Sequence, residues 1–272
     1  KMVGSGVIKT DATFTQQGAI TGDSLVKSGT GSLTMTGNLT TARTIVQEGS
    51  MNYSGNNYNK VVELRGNASI SGNGFIHSPI NVASGARATL TLTNTYYMSH
   101  SGALTGSGQL TINPTNTVNR VAITGNWTNF TGTIVYNNTS ILMPLKNSGM
   151  PNATLSTGTN TNIGIAASSS NASITYPIGK LIGSGTLRHK EVDFSSSGGV
   201  SGNVTWKIGS SDLGDFTFNG VIYDAGGSNK SNFEKVGDCA MTVGGTWAIS
   251  GTVNVSEGTL IVSTSKTLGT GA

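Results

Sequence analysis

The chain is 272 residues long, with 39 glycines, 16 Lys and Arg against 12 Asp and Glu, and a formal net charge of +4. Only 10% of residues are charged, which with 35% apolar content argues against intrinsic disorder. There is no basic run interleaved with aromatics to suit a nucleic acid, and no apolar stretch as long as a membrane-spanning helix.

Along the chain one short glycine phrase keeps returning: apolar, any, Gly, any, Gly, any, apolar. It runs Met2-Val3-Gly4-Ser5-Gly6-Val7-Ile8, then Lys27-Ser28-Gly29-Thr30-Gly31-Ser32-Leu33 with Lys in the lead position, then Ile70-Ser71-Gly72-Asn73-Gly74-Phe75-Ile76. Leu104-Thr105-Gly106-Ser107-Gly108-Gln109-Leu110 and Leu181-Ile182-Gly183-Ser184-Gly185-Thr186-Leu187 follow. A degenerate copy lies at Gly237-Asp238-Cys239-Ala240-Met241, and a truncated one, Gly269-Thr270-Gly271-Ala272, ends the sequence. Repeated units of this kind bury their apolar face only against a stacked neighbour.

Around the glycines, apolar residues alternate with Thr or Ser, as in Leu33/Met35, Leu90/Leu92, Leu110/Ile112 and Val253/Val255. A period of two between glycine turns predicts short strands, with Leu33, Met35, Ile70, Leu110, Ile112, Leu187, Met241 and Val243 expected to point into one continuous apolar column, and no stretch carries the capped stripe of a helix. Two long segments align term by term. The first holds Gly18–Ile20, Leu25–Gly29, Leu33–Gly37 and Glu48–Met51; the second holds Gly220–Ile222, Phe233–Gly237, Met241–Gly245 and Glu257–Leu260. From Lys27 to Gly49 is 22 residues, and from Lys235 to Gly258 is 23. A further phrase pairs Phe130–Ile134 with Phe218–Ile222. A unit of this length, with glycine at φ > 0 corners, suits one coil of a parallel β-helix. The expected fold is therefore all-β, a single-stranded right-handed parallel β-helix (β-solenoid) of about twelve coils. Residues 1–272 are read as one continuous solenoid domain, with a weakly patterned polar stretch at 147–173 expected to form irregular rungs or a loop. Lys1–Ile8 and Leu268–Ala272 read as pieces of repeat units, so the native protein is expected to continue past Ala272 or to have its end covered by a neighbouring chain.

Residues that could carry chemistry are few. His189, Glu191 and Asp193 share one face of a strand and could do acid–base work on a sugar, although a solvated polar edge is the expected reading. Asp212, Asp215 and Asp224 fit neither an EF-hand loop nor a calcium-binding β-roll and read as turn residues. His77, His100 and His189 lack metal-ligand spacing. The single cysteine, Cys239, excludes an intrachain disulfide and reads as a buried small side chain. Trp127, Phe130, Trp206, Phe216, Phe218 and Trp247 occupy repeat positions and are expected inside. Tyr53, Tyr58, Tyr96 and Tyr97 are the candidates for exposed rings. Thr-x-Thr phrases such as Thr89-Leu90-Thr91 do not recur at a fixed period, which argues against an ice-binding face.

The two long segments resemble the autotransporter-associated β-strand repeat, whose pattern runs F-x-G-x-I, then L-x-K-x-G-x-G-x-L-x-L-x-G, then x-x-G-x-L. The phrases at Gly72, Gly106 and Gly183 match only its centre; the departures are Cys239 where the second glycine belongs, Gly209–Phe216 as a longer intervening piece, and the weakly patterned Asn147–Ser173. Motif matches cover about half of the chain. The resemblance implies the right-handed β-helical passenger of a bacterial surface or secreted protein, and it supplies no shared catalytic residues. The functional expectation is a non-catalytic module, adhesive or self-associating, with a polysaccharide-acting enzyme or an inert stalk as the alternatives. No catalytic residue, metal or cofactor is expected, and the ligand-binding residues are left open. The expected partners are a host or neighbouring-cell surface, glycans, or a second copy of the chain, and not nucleic acid. The expected location is extracellular or at a bacterial cell surface, with signal and anchoring segments outside this chain.

Overall fold

A computed structural model describes residues 4–53, 61–72, 77–93, 97–115, 120–138, 141–144, 149–164, 173–188, 202–224, 230–263 and 268. Among them there is no helix, and strands pair in parallel. The fold is the expected right-handed parallel β-helix, with about 10 turns, close to the twelve coils read from the repeat. The chain divides into two compact units, one of Lys1–Asn119 with Gly125–Val135, the other of Arg120–Thr124 with Tyr136–Ala272.

In the first unit two parallel sheets meet at the glycine corners. One sheet runs Ser5–Lys9, Ile20–Ser28, Leu39–Val46, Val61–Leu64, Ile80–Val82 and Leu104–Gly106. The other begins with Phe14–Gln16, Ser32–Met35, Gly49–Tyr53, Ala68–Ser71, Arg87–Leu92 and Gln109–Pro114. Alternation sends every second side chain inward, and register then stacks it on its counterpart one coil away. Leu33, Met51, Ile70, Leu90 and Ile112 form one such column, buried throughout. Leu25, Thr44, Val62, Ile80 and Leu104 form a second. Thr44 is tolerated inside because its hydroxyl meets that of Thr41 at 2.8 Å.

The second unit repeats the scheme with heavier side chains. Tyr176, Trp206, Phe233 and Val253 stack in register, as do Ile163, Leu187, Ile222 and Trp247. Leu187, Met241 and Val243 are buried as expected, and so are Trp206, Phe216, Phe218, Trp247 and Cys239. The polar stretch at 147–173 supplies two rungs, Met150–Thr157 and Asn162–Gly164. Ala153, Leu155 and Ile163 point into the core from them. The insertion after Ile208 is accommodated along the strand Ile174–Gly183. Its first half pairs with Val204–Ile208 and its last residue with Phe218. Between these, the excursion over 209–215 is held by Lys180 Nζ, which donates to Leu213 O at 2.9 Å and Asp215 O at 3.0 Å.

Corners are where stacked coils come closest. Gly106 has φ of 99°, and a Cβ placed on it would lie 2.0 Å from Val82 O of the preceding coil. Gly183 repeats the situation, with φ of 96° and Thr157 O at 2.0 Å. Both the handedness and the absent side chain are required there. Gly106→Ala is expected to cost about 2–3 kcal/mol, combining strain at positive φ with the clash. Chemical denaturation would read it as a lower midpoint, and a change under about 0.5 kcal/mol would contradict the close approach.

Among the described residues two lysines point inward. Lys27 shares its column with Ile8, Val46, Leu64 and Val82, and is fully buried. Its ammonium donates to Ser28 O at 2.9 Å, Gly29 O at 2.5 Å and, one coil on, Glu48 O at 3.0 Å. Lys235, stacked between Ile208 and Val255, does the same with Val236 O at 2.7 Å, Gly237 O at 2.7 Å and Glu257 O at 3.4 Å. The Glu257 carboxylate closes the second corner by accepting from Gly237 N at 2.8 Å. Burial holds the Lys27 pKa below the usual lysine value, and the Glu48 and Asp11 charges oppose that shift. Lys27→Met keeps the aliphatic stem and removes the donor, leaving carbonyls without the ammonium. A loss of roughly 2–4 kcal/mol is expected from the desolvated acceptors, measured by denaturant titration; stability unchanged from wild type would show that the ammonium does not hold the corner.

Candidate binding face

The outer face of the second sheet in the first unit is built by the residues that alternate with the core. Ser32, Ser50, Ser69, Thr89 and Thr111 stand in register as one row. Thr15, Thr34, Asn52, Ser71, Thr91 and Asn113 stand as a second. Neither row carries a charge. Their side chains are partly or fully exposed and make no hydrogen bond to another described residue. The result is a sheet surface of hydroxyls and amides spaced about 4.8 Å apart along each row. Although the hydroxyl phrases do not recur at a fixed sequence period, coils of different length bring them into line. Leu33 to Met51 is a short coil and Leu90 to Ile112 a longer one.

The neighbouring sheet presents a different outer face. Its central row is Val7, Val26, Ile45, Glu63, Asn81 and Thr105. Glu63 is almost buried between the guanidinium groups of Arg43 and Arg65, and both pair with its carboxylate. Asn81 Nδ2 donates to Thr105 Oγ1 at 3.0 Å. The two arginines are therefore occupied by the same carboxylate.

The sequence-based candidates separate clearly. His189, Glu191 and Asp193 lie outside the described residues, as do Tyr58 and Tyr96. The aspartates do structural work at turns. Asp224 accepts from Ser231 N at 2.6 Å through one oxygen and from Ser250 N and Oγ at 2.7 and 2.5 Å through the other, so it ties two later segments together. Asp215 accepts from Ala240 N at 2.7 Å, and Asp212 sits exposed in the excursion after Ile208. Among the described residues no three His, Cys, Asp or Glu side chains gather into a metal-binding group. Tyr53 corrects an expectation: its ring is fully buried and its hydroxyl accepts from Leu39 N at 3.0 Å. Its place was legible, because Tyr53 has the same parity as Met51 and stacks beside Met35. The inward lysines and the in-register hydroxyl rows were not anticipated.

His100 is a core histidine. It is fully buried and meets the Trp127 ring edge-on, with centroids 5.9 Å apart and planes at 69°. Trp127 Nε1 in turn donates to Gly102 O at 3.3 Å. His77 lies toward it, with Nδ1 and Ser101 Oγ 2.6 Å apart. Burial, and secondarily the His77 charge, lower the His100 pKa from 6.5 to about 4. The folded state thus refuses a proton that the unfolded chain takes up below about pH 6.5. The stability conferred by the neutral ring is present above that pH and is lost as pH falls toward 4, by roughly 3 kcal/mol in all. Comparing the pH dependence of unfolding in wild type and His100→Leu isolates this contribution; parallel curves between pH 7 and 4 would contradict it.

No protein-family model, curated protein or solved structure matches this chain.

Proposed function

We propose that the chain is a non-catalytic β-helical module of a cell-surface or secreted protein, acting by adhesion or self-association. The observation that supports this best is the uncharged outer face described above. Its hydroxyls and amides both donate and accept, they are unspent, and a rigid hydrogen-bonded sheet holds them in a regular array. Such a surface offers many weak, repeated contacts to an extended partner with little desolvation of charge. The glycine phrases add the resemblance to autotransporter-associated repeats, which points to the outside of a bacterial cell. Cys239, the single cysteine, is buried, so the fold requires no disulfide.

The direct experiment incubates the protein with a panel of neutral and acidic polysaccharides. It reads co-sedimentation, new reducing ends and, for the protein alone, its sedimentation velocity. Retention on a polysaccharide or reversible self-association, with no new reducing ends, is the expected result. Cleavage that disappears when Glu191 and Asp193 are both replaced by Asn would overturn the non-catalytic reading. Neither binding nor self-association at high protein concentration would leave an inert stalk as the better account.

A further inference from the structure

Beside the uncharged rows the first unit carries a polar notch of about 230 Å³. It arises from a mismatch between successive corners. In one coil four residues, Ala83 to Ala86, separate the strands Ile80–Val82 and Arg87–Leu92. They form a turn with Ala86 N bonded to Ala83 O at 3.0 Å and Gly85 at φ of 74°. In the next coil only Ser107 and Gly108 separate Leu104–Gly106 from Gln109–Pro114. Both of their amides bond to Val82 O, at 3.1 and 3.2 Å, which draws that corner in. The wide turn stands beside the tight one, and the space between them is lined by Gly85, Arg87, Ser107, Gln109 and Thr133, among others.

The chemistry of the lining is selective. Arg87 is exposed and makes no ion pair with any described residue, in contrast to Arg43 and Arg65, whose guanidinium groups share Glu63. No carboxylate lines the notch. Gln109, stacked in register against Arg87, and the hydroxyls of Ser107 and Thr133 surround the cation with neutral donors and acceptors. One residue pair further along the same strands, the hydroxyl rows begin at Thr89 and Thr111.

We infer that this notch is a subsite for a carboxylate-bearing sugar residue of an extended glycan, with Arg87 taking the carboxylate and the Ser/Thr/Asn rows taking the hydroxyls of neighbouring residues. A guanidinium fork matches a planar carboxylate through two parallel hydrogen bonds. The volume is below the range of a drug-sized pocket, about 300–1,000 Å³, and suits one small polar ring. A chain laid along the coil axis meets a fresh strand about every 4.8 Å, close to the advance of one sugar ring. This inference rests on the adhesive reading and names the class of partner for it. The unpaired cation of the notch also sets the polarity of that partner, since an uncharged chain gains nothing from displacing the water around Arg87.

The test uses the whole protein and three acidic probes: polygalacturonate, hyaluronan and a sialylated oligosaccharide. Each is paired with its carboxyl methyl ester, which keeps the shape and removes the charge. Binding is measured by calorimetry or co-sedimentation. At least one free acid is expected to bind tenfold or more tightly than its ester, with the preference shrinking as salt rises. Arg87→Gln should abolish the preference, and Ser107→Leu, which fills the notch without touching the charge, should weaken binding to a similar extent. Arg65→Gln, on the other sheet, should leave it unchanged. Equal binding of acid and ester, or an Arg87→Gln protein with the wild-type preference, would overturn the subsite while leaving any self-association from the preceding experiment intact. A Ser107→Leu protein that binds like wild type would also overturn it, because the charge would then act without the notch. Polyglutamate held as tightly as the best glycan would overturn the assignment to a sugar.

Discussion

Stacked parallel coils face one recurring difficulty at their corners. Each strand must stop, turn and restart within a few residues while lying one strand spacing from the turn of the next coil. Carbonyls of successive corners then crowd together under a less regular ladder of amides than the one that serves them inside a sheet, although some bonds persist there, as from Thr10 N to Ser28 O. The structure answers in two ways. At Ser107 and Gly108 two amides converge on Val82 O. At Lys27 and Lys235 a buried ammonium collects carbonyls from its own corner and from the next coil. An ammonium in an apolar column is costly to desolvate, and three bonds to carbonyl oxygens are what offset that cost. The lysine thereby links neighbouring coils at a point where regular backbone pairing lapses. Glycine completes the solution by letting the backbones approach at all, as at Gly106 over Val82.

Once the corners are set, the inside and outside of the coil divide the remaining work. Inward positions are filled by Leu, Ile, Val, Met and aromatics in stacked columns; among the polar groups there, the Thr41–Thr44 pair and the Tyr53 hydroxyl are hydrogen-bonded, whereas the indole Nε1 of Trp206 and of Trp247 is buried without a partner among the described residues. Outward positions are free to vary without disturbing the fold, and in the first unit one sheet uses that freedom for hydroxyls and amides. Corner length is the other variable. Exchanging a two-residue corner for a four-residue turn changes nothing in the column beneath, yet it opens a notch beside Arg87. In the proposed reading, corner length and outward rows carry the local function, while the inward columns and the buried ammonium groups hold the scaffold.

Much of the fold is legible in the sequence. The period-two alternation placed Leu33, Met35, Ile70, Leu110, Ile112, Leu187, Met241 and Val243 in the core, and all are buried there. The same parity extends from Leu25 to Lys27 and from Phe233 to Lys235, so the inward direction of both lysines was written in the pattern. It was obscured by the general rule that lysine is almost never fully buried unless paired. Tyr53 was misplaced for a similar reason: its Asn-rich context suggested exposure, while its position two residues after Met51 dictated burial. The outer rows were hidden by a different effect. Coils differ in length, so Ser50-x-Asn52, Ser69-x-Ser71 and Thr89-x-Thr91 have no constant spacing, and only hydrogen-bonded register reveals that they line up. The notch depends on the contrast between two successive corners, and neither corner is unusual when read alone.

The account turns on the buried ammonium groups, and side-chain NMR of the lysine NH₃⁺ groups observes them directly. Ammonium protons of exposed lysines such as Lys9 exchange rapidly with water, whereas those of Lys27 and Lys235 are shielded and held by three carbonyls each. Two slowly exchanging NH₃⁺ signals are predicted, one disappearing in Lys27→Met and the other in Lys235→Met. If both lysines exchange at the rate of Lys9, their ammonium groups lie in water and the corners are held in some other way.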